Sequence, residues 1–214
     1  MFLDPLTGLQ NRHAFLLSYY DTIRDAGPDS PYSLMLIDLD GFKAINDNFG
    51  HSAGDTVLSS VGEILRRVCR GAAGICRFGG DEFLVASKVG REQICSMAEF
   101  LVQEIGGTPF LEGQAEQRVT VSIGAATSCG EHSGEELMQE ADRNMYAAKN
   151  QGRNRVVASE SFLQEAEKAG EDPQVVDFEN RVRVLTEKLV EGLMYRGKSL
   201  ARHYKEEADH DGLT

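Results

Sequence analysis

The stretch Gly74-Ile-Cys-Arg-Phe-Gly-Gly-Asp-Glu-Phe-Leu-Val-Ala-Ser87 decides the fold class. Its two short apolar segments, 74–78 and 83–87, predict β-strands, and the glycines between them predict a tight reversal, so the stretch is expected to form a β-hairpin. The adjacent carboxylates of Asp81 and Glu82 would stand at its tip. Such carboxylates can hold a hard cation, although Gly-Gly-Asp-Glu is equally suited to a plain polar turn.

A second apolar segment, 32–39, ends in acidic residues. These acids favour a cation site over a plain polar turn as the role of the hairpin tip. Its near-continuous apolar run predicts a strand that is buried on both faces, and Asp38 and Asp40 stand at its end. Gly, Lys and Asn residues follow directly. In sites that bind a metal ion and a phosphate, carboxylates hold the ion, and backbone N–H groups and Lys bind the phosphate oxygens. For Asp40 and Asp47 taken singly, a capping or turn role is as good an interpretation as a ligand role.

The elements around these two segments alternate between helix and strand. Apolar residues recur at a helical period and at strand-like spacing in turn, and glycines mark several of the boundaries. Helices are predicted over 11–27, 55–68, 91–105 and 133–150, and further strands over 118–127 and 155–158. This order predicts an α+β domain, a mixed sheet with helices packed on it.

Composition excludes several classes of protein. The chain has 214 residues and a formal net charge of −12, which argues against a broad basic face for nucleic acid. Its longest uninterrupted apolar run, 34–37, is far too short for a membrane span or a secretory signal. The four cysteines form no CxxC pair, which fits a reducing compartment. We therefore expect a cytoplasmic protein, with no membrane attachment in these residues.

The charge density changes near residue 158, which predicts a domain over 1–158 followed by an appendage. Residues 159–214 hold 21 charged residues in 56, against 35 in 158 before them. A heptad-like apolar pattern predicts a helical linker over 159–208, either a coiled coil or a helix folded back on the domain. The last residues, Asp211-Gly-Leu-Thr214, repeat Asp4-Pro-Leu-Thr7. We therefore expect residues 209–214 to begin a second copy of the domain.

Taken together, the motifs of residues 4–158 resemble the GGDEF domains, the diguanylate cyclases that join two GTP into cyclic di-GMP. The resemblance spans many motifs in the same order, which makes it far more specific than the hairpin alone. They are Asp4-x-Leu-Thr-Gly-Leu-x-Asn-Arg12, Asp38-x-Asp-x-Phe-Lys-x-x-Asn-Asp-x-x-Gly-His-x-x-Gly-Asp55, Arg77–Phe83, Val121-Ser-Ile-Gly124 and Ala141-Asp-x-x-Met-Tyr-x-Ala-Lys-x-x-Gly-Arg-Asn-Arg155.

The resemblance implies roles for individual residues. Asp38, Asp81, Glu82 and the backbone carbonyl of Leu39 would hold two Mg²⁺ or Mn²⁺ ions. Asp81 or Glu82 would help to deprotonate the attacking 3′-hydroxyl, unless acidification by the metal makes a protein base unnecessary. The other positions that match are substrate contacts: Asn46 and Asp55 for guanine, Phe42, Lys43, Lys149 and Arg153 for the triphosphate, and His51, for which a packing role is equally good. Lys43 is also expected to stabilise transition-state charge.

The resemblance also implies an architecture and a partner. The fold would have a palm-like βαββαβ core, and two domains would face each other, each with one GTP. The partner would be a second GGDEF domain, in a homodimer or as a tandem copy. The alternative function is a catalytically silent GTP-binding or regulatory module that pairs with a second GGDEF domain.

One inhibitory motif of the family is incomplete here. Many members carry an Arg-x-x-Asp site for the product, and this chain has Arg70-Gly-Ala-Ala73 in its place. Ala73 stands where the motif has an Asp, whose carboxylate would accept hydrogen bonds from guanine. We therefore expect weak or absent product inhibition at Arg70.

Overall fold

The computed structural model describes residues 2–111, 118–130 and 132–158. The elements follow in this order: β1 (Gln10–Asn11), α1 (Arg12–Ile23), β2 (Tyr32–Asp40), α2 (Phe42–Phe49), α3 (His51–Val68), β3 (Gly74–Gly79), β4 (Glu82–Ser87), α4 (Arg91–Gly107), β5 (Thr120–Ser128), α5 (Gly134–Asn150) and β6 (Arg155–Val157). The predicted hairpin is β3 and β4, and only two residues, Gly80 and Asp81, separate its strands.

The strands form one six-stranded mixed sheet in the order β1-β3-β4-β2-β5-β6. The central strand, β2, is antiparallel to both neighbours, β4 and β5, whereas the outer pairs β1–β3 and β5–β6 are parallel. From β2 to β5 the chain runs strand, helices, strand, strand, helix, strand. The predicted mixed α/β fold, with a βαββαβ core, is therefore confirmed.

The side chains of β2 alternate between the two faces of the sheet, and the apolar core accordingly has two layers. Its odd-numbered residues Met35, Ile37 and Leu39 belong to a buried cluster that also contains residues of α3 and α4. Its even-numbered residues Leu34 and Leu36 belong to a second cluster, with residues of α1 and α5. Because successive side chains of a strand point to opposite faces, Asp38 and Asp40 continue the even-numbered face, on the side of α1 and α5.

Two elements differ from the sequence prediction. The first strand, β1, was not predicted, and the segment between Asp40 and Asp55 was not assigned to a helix. It forms α2, which begins after Gly41 at φ 72°, and the first turn of α3, which begins after Gly50 at φ 82°. Both glycines adopt left-handed backbone conformations that other residues rarely tolerate. They place two helices end to end in a segment for which the sequence pattern predicts no element.

The predicted linker over 159–208 and the predicted start of a second copy at 209–214 lie outside the described residues. Among the residues that are described, no helix combines the length and the apolar character that a membrane span requires.

Candidate active site

The end of β2 and the tip of the β3–β4 hairpin bring three carboxylates into one region. Asp38 lies opposite Glu82 in the β2–β4 register. The backbone N–H of Leu39 donates to the carbonyl of Asp81 at 3.3 Å. Asp38 is 8% exposed, and Asp81 and Glu82 are half-buried. The structure thus brings together the residues that the resemblance assigned to metal binding.

The hairpin tip is held from the N-terminal side of the domain. Arg77 donates to the carbonyl of Gly80 from Nε at 2.9 Å and from Nη2 at 2.7 Å. Its Nη1 also lies 3.5 Å from the carboxylate of Asp4. Asp4 in turn accepts from the backbone N–H and the hydroxyl of Thr7 at 2.8 and 2.7 Å. The first motif of the chain therefore supports the turn that presents Asp81.

The electrostatics of the three carboxylates favour a cation. Burial raises the pKa of Asp38, the ion pair with Lys149 opposes that rise, and the charges of Asp81 and Asp40 add to it. The pKa of Glu82 is also raised, first by burial and then by the charges of Asp38 and Asp81. Burial and neighbouring carboxylates thus destabilise the charged forms of Asp38 and Glu82, and an added positive charge would relieve this.

The donor set fits a hard divalent cation, although the ligands are not gathered in advance. Carboxylate oxygens are the ligands that Mg²⁺ and Mn²⁺ prefer. Lys149 Nζ lies 2.8 Å from Asp38 Oδ2 and supplies the positive charge in this structure. Within residues 2–111, 118–130 and 132–158, no three His, Cys, Asp or Glu side chains converge closely enough to form a ready metal site. Binding of an ion would require these side chains to rearrange.

The two expected guanine contacts lie where α2 meets α3. Asn46 is half-buried in α2, and Asp55 is exposed in the second turn of α3. A Cβ atom added to Gly54 would lie 2.1 Å from Oδ1 of Asn46, so the amide rests against α3 at the residue that precedes Asp55. His51 is exposed at the start of α3. The structure brings the amide and the carboxylate to the same junction, and their contact with guanine stays a prediction.

The expected triphosphate contacts come from two separate elements. Phe42 and Lys43 occupy the first turn of α2, where backbone N–H groups at a helix N-terminus suit an anion. Lys43 is exposed and Phe42 half-buried. Lys149 lies in the last turn of α5, and Arg153 follows in an exposed turn with φ 63°. Of these four residues, Lys149 is the one that the structure pairs with a site carboxylate.

Arg70 lies just past the C-terminal end of α3, whereas Asp55 stands near the other end of that helix. The helix has 18 residues, so its ends are about 27 Å apart at 1.5 Å per residue. Arg70 lines a cavity of about 650 Å³ together with Glu63, Arg66 and Arg67. Arg66 donates to the carbonyl of Thr7, and Arg67 pairs with Glu104. The weak inhibition expected at Arg70 stays a prediction.

Comparison with known proteins identifies the family of the chain. The model of the family described as "Diguanylate cyclase, GGDEF domain" matches residues 1–155. The response regulator PleD of Caulobacter vibrioides is 38% identical over 160 residues, which are 72% of this chain and 35% of that protein. Diguanylate cyclase A of Treponema denticola is 32% identical over 169 residues, which are 76% of this chain and 46% of that protein. The chain thus spans less than half the length of these curated relatives.

Solved structures give the same result. The coiled coil and GGDEF domain of DgcB from Caulobacter crescentus, in complex with c-di-GMP, matches with a TM-score of 0.66 and 30% identity, covering 74% of this chain and 85% of that one. The GGDEF domain of FimX from Pseudomonas aeruginosa matches with a TM-score of 0.68 and 26% identity, covering 74% and 99%. On its sequence motifs, its fold and these relatives, the chain belongs to the GGDEF domain family of diguanylate cyclases.

Proposed function

We propose that this chain condenses two GTP molecules into cyclic di-GMP with release of two pyrophosphates. The observation that carries the proposal is the proximity of Asp38, Asp81 and Glu82, with Lys149 paired to Asp38 at 2.8 Å. This combination of carboxylates and a cation suits phosphoryl transfer, in which a triphosphate must be neutralised while an oxygen nucleophile attacks. Curated relatives that are 32–38% identical are named diguanylate cyclases.

In the proposed reaction the 3′-hydroxyl of one GTP attacks the α-phosphate of the other. The new bond is from the 3′-oxygen to phosphorus, and the bond to pyrophosphate breaks. The hydroxyl proton passes to the carboxylate of Asp81 or Glu82, or to solvent where a bound metal acidifies the hydroxyl. A second, symmetric transfer closes the ring. Two Mg²⁺ or Mn²⁺ ions, when bound by Asp38, Asp81, Glu82 and the Leu39 carbonyl, would supply electrophilic activation of the phosphate and acidify the hydroxyl.

The chain's own side chains bind and orient GTP. Lys43, Lys149 and Arg153 neutralise the triphosphate, and Lys43 also offsets charge that develops in the transition state. Asp55 accepts from the N–H donors of guanine, Asn46 hydrogen-bonds the same base, and Phe42 and His51 complete the contacts. Lys149 has a second task, because its ammonium is shared between Asp38 and the phosphates.

Because each domain holds one GTP, the partner is a second GGDEF domain, supplied by a homodimer or a tandem copy. Two sites that face each other hold both nucleotides for attack, so the pairing of domains provides proximity. We place this reaction in the cytoplasm, where GTP is available.

The Asp81→Ala variant tests the proposal. The variant should lose turnover of GTP to cyclic di-GMP by at least about a hundredfold, or about 2.7 kcal/mol of activation free energy. Its thermal midpoint should stay close to that of the parent chain, because Asp81 is only half-buried and stands in the two-residue turn between β3 and β4, outside the apolar core. The matched control is Asp25→Ala, an exposed acid beyond α1, which should leave turnover unchanged.

Two other outcomes would count against the proposal. Retained turnover in Asp81→Ala would remove Asp81 from the metal site. Tight GTP binding without turnover in the parent chain, at protein concentrations that favour dimers and with Mg²⁺ present, would support the silent regulatory module instead.

A further inference from the structure

The carboxylate of Asp40 makes three hydrogen bonds that the proposed reaction does not explain. Asp40 Oδ1 accepts from Ser122 Oγ at 2.7 Å, and Oδ2 accepts from Thr120 Oγ1 at 2.8 Å. Oδ2 also accepts from the backbone N–H of Asn154 at 3.1 Å. Two of these bonds tie β2 to β5, which are already paired strands. The third crosses from the sheet to the turn between α5 and β6.

That turn has an unusual backbone. Gly152, Arg153 and Asn154 have φ angles of 111°, 63° and 47°. Left-handed conformations are unfavourable for non-glycine residues, and they persist only when surrounding contacts hold them. Here the N–H of Arg153 donates to the Ala148 carbonyl at 3.0 Å, and the N–H of Asn154 donates to Asp40. Arg155 Nε also donates to the Arg153 carbonyl at 3.1 Å. Among these anchors of the strained turn, Asp40 is the one that ties it to β2.

The strained turn connects two of the cations assigned to the triphosphate. Lys149 lies at its start and Arg153 within it. Asp38 pairs with Lys149, and Asp40, two residues further along the same face of β2, binds the end of the turn. The two acids at the end of β2 thus hold the two ends of one segment.

We propose that Asp40 is a positioning residue that holds the Arg153–Asn154 turn against the end of β2, so that the turn's cations are presented to the triphosphate. The inference rests on the proposed function. It assigns Asp40 a task through backbone geometry rather than as a ligand of the metal ions, because both of its carboxylate oxygens are turned toward donors of β5 and of the turn.

The experiment compares Asp40→Ala with Asp40→Asn in the full chain. Asn keeps an oxygen acceptor for the Asn154 N–H, and its amide can donate to a hydroxyl of β5, whereas Ala keeps no acceptor. Asp40→Ala should raise KM for GTP by about tenfold, or about 1.4 kcal/mol, with a smaller change in kcat. Asp40→Asn should stay within about threefold of the parent chain. Asp25→Ala is the control for removal of an exposed acid.

Hydrogen exchange gives a readout that needs no activity. Exchange of the Asn154 amide, followed by NMR, should accelerate by about tenfold in Asp40→Ala, because local opening of the turn becomes easier. It should change little in Asp40→Asn. If the parent chain had no cyclase activity, the proposed function would fail, while the amide exchange would still report on the anchoring of the turn.

Two results would overturn the inference. Unchanged Asn154 exchange in Asp40→Ala would show that the turn is held without Asp40. Equal loss of turnover in the Asn and Ala variants, with normal Asn154 exchange in the Asn variant, would show that the negative charge of Asp40 matters, as a metal ligand's charge would.

Discussion

At the scale of single residues, Gly54 shows how the absence of a side chain shapes the guanine contacts. The amide of Asn46 occupies the space that a Cβ atom of Gly54 would take, at 2.1 Å from its Oδ1 and 3.0 Å from its Cγ. Gly54 has an ordinary helical backbone within α3, so its conformational freedom is not what the position requires. The position requires space, because only a glycine lets Asn46 lie against α3 beside Asp55.

The Gly54→Ala variant separates stability from substrate binding. The methyl group must push the Asn46 amide aside, so we expect KM for GTP to rise by about tenfold, equivalent to about 1.4 kcal/mol. Ala has a higher helix propensity than Gly by about 1 kcal/mol. This gain offsets part of the steric cost of the methyl group, so the free energy of unfolding should change less than KM does. Steady-state kinetics and denaturant unfolding of the same variant measure both quantities.

Gly27→Ala is the control for this variant. No atom lies within 4 Å of a Cβ added at Gly27, and its φ is not in the left-handed region. A Gly54→Ala chain that kept the parent KM would mean that Asn46 does not contact the base.

At the scale of elements, the packing of α5 on β5 determines where Lys149 stands. A Cβ atom added at Gly124 of β5 would lie 2.0 Å from the Ala141 carbonyl oxygen and 2.2 Å from the Met145 nitrogen. Asn144, buried on the same helix, donates from Nδ2 to the Ala125 carbonyl at 2.8 Å. The helix backbone therefore touches the strand backbone. This contact places the last turn of α5, with Lys149, beside Asp38.

The Gly124→Ala variant should disturb both the fold and the site, because the clash is with backbone that cannot rotate away. Overpacking of this kind costs about 1–3 kcal/mol of unfolding free energy, which would appear as a lower denaturant midpoint. Displacement of α5 should also weaken binding of a non-hydrolysable GTP analogue. Gly107→Ala, at the end of α4 with no atom within 4 Å of the added Cβ, should do neither. Unchanged stability in Gly124→Ala would contradict the close packing.

The elements that the sequence predicted and those it missed differ in where their stabilisation comes from. The strand at 32–40 and the helix at 91–107 carry their own apolar pattern, so periodicity was sufficient. The two residues of β1 form a strand only by pairing in parallel with Cys76 and Arg77 of β3. Such pairing is a tertiary contact with no local signal. In α2 the apolar residues Phe42, Ile45 and Phe49 are spaced for one helix face, but eight residues between two glycines are too few for periodicity to predict a helix.

The sequence predicts which residues form the candidate site, but it does not predict the contacts between them. The motif resemblance identified the acids, the cations and the guanine pair from residue types and order. The pairing of Asp38 with Lys149, the ion pair of Arg77 with Asp4 and the anchoring of Asn154 by Asp40 join segments up to 114 residues apart. The sequence does not choose between a turn role and a ligand role for Asp40, since only the folded chain shows which hydrogen bonds its oxygens accept.

At the scale of the whole molecule, the proposed chemistry requires two domains. One domain carries one set of guanine contacts, one triphosphate region and one group of carboxylates, whereas the product contains two GMP units. Catalysis therefore depends on how often two domains meet with GTP bound, and association becomes part of the rate. This is the property that distinguishes an intermolecular cyclase from an enzyme that completes its reaction within one subunit.

Turnover per chain should rise with protein concentration. Well below the dissociation constant of the dimer, the fraction of chains in dimers is proportional to the total concentration. The rate per chain should then increase about tenfold for each tenfold rise in concentration and level off once dimers dominate. Adding excess Asp81→Ala chain to a fixed, dilute amount of parent chain should lower turnover, since mixed dimers contain one defective half. Adding the same amount of Asp25→Ala chain should raise it, because every new dimer has two intact halves. A rate per chain that stayed constant across this range, while sedimentation showed monomers, would contradict the requirement for a pair of domains.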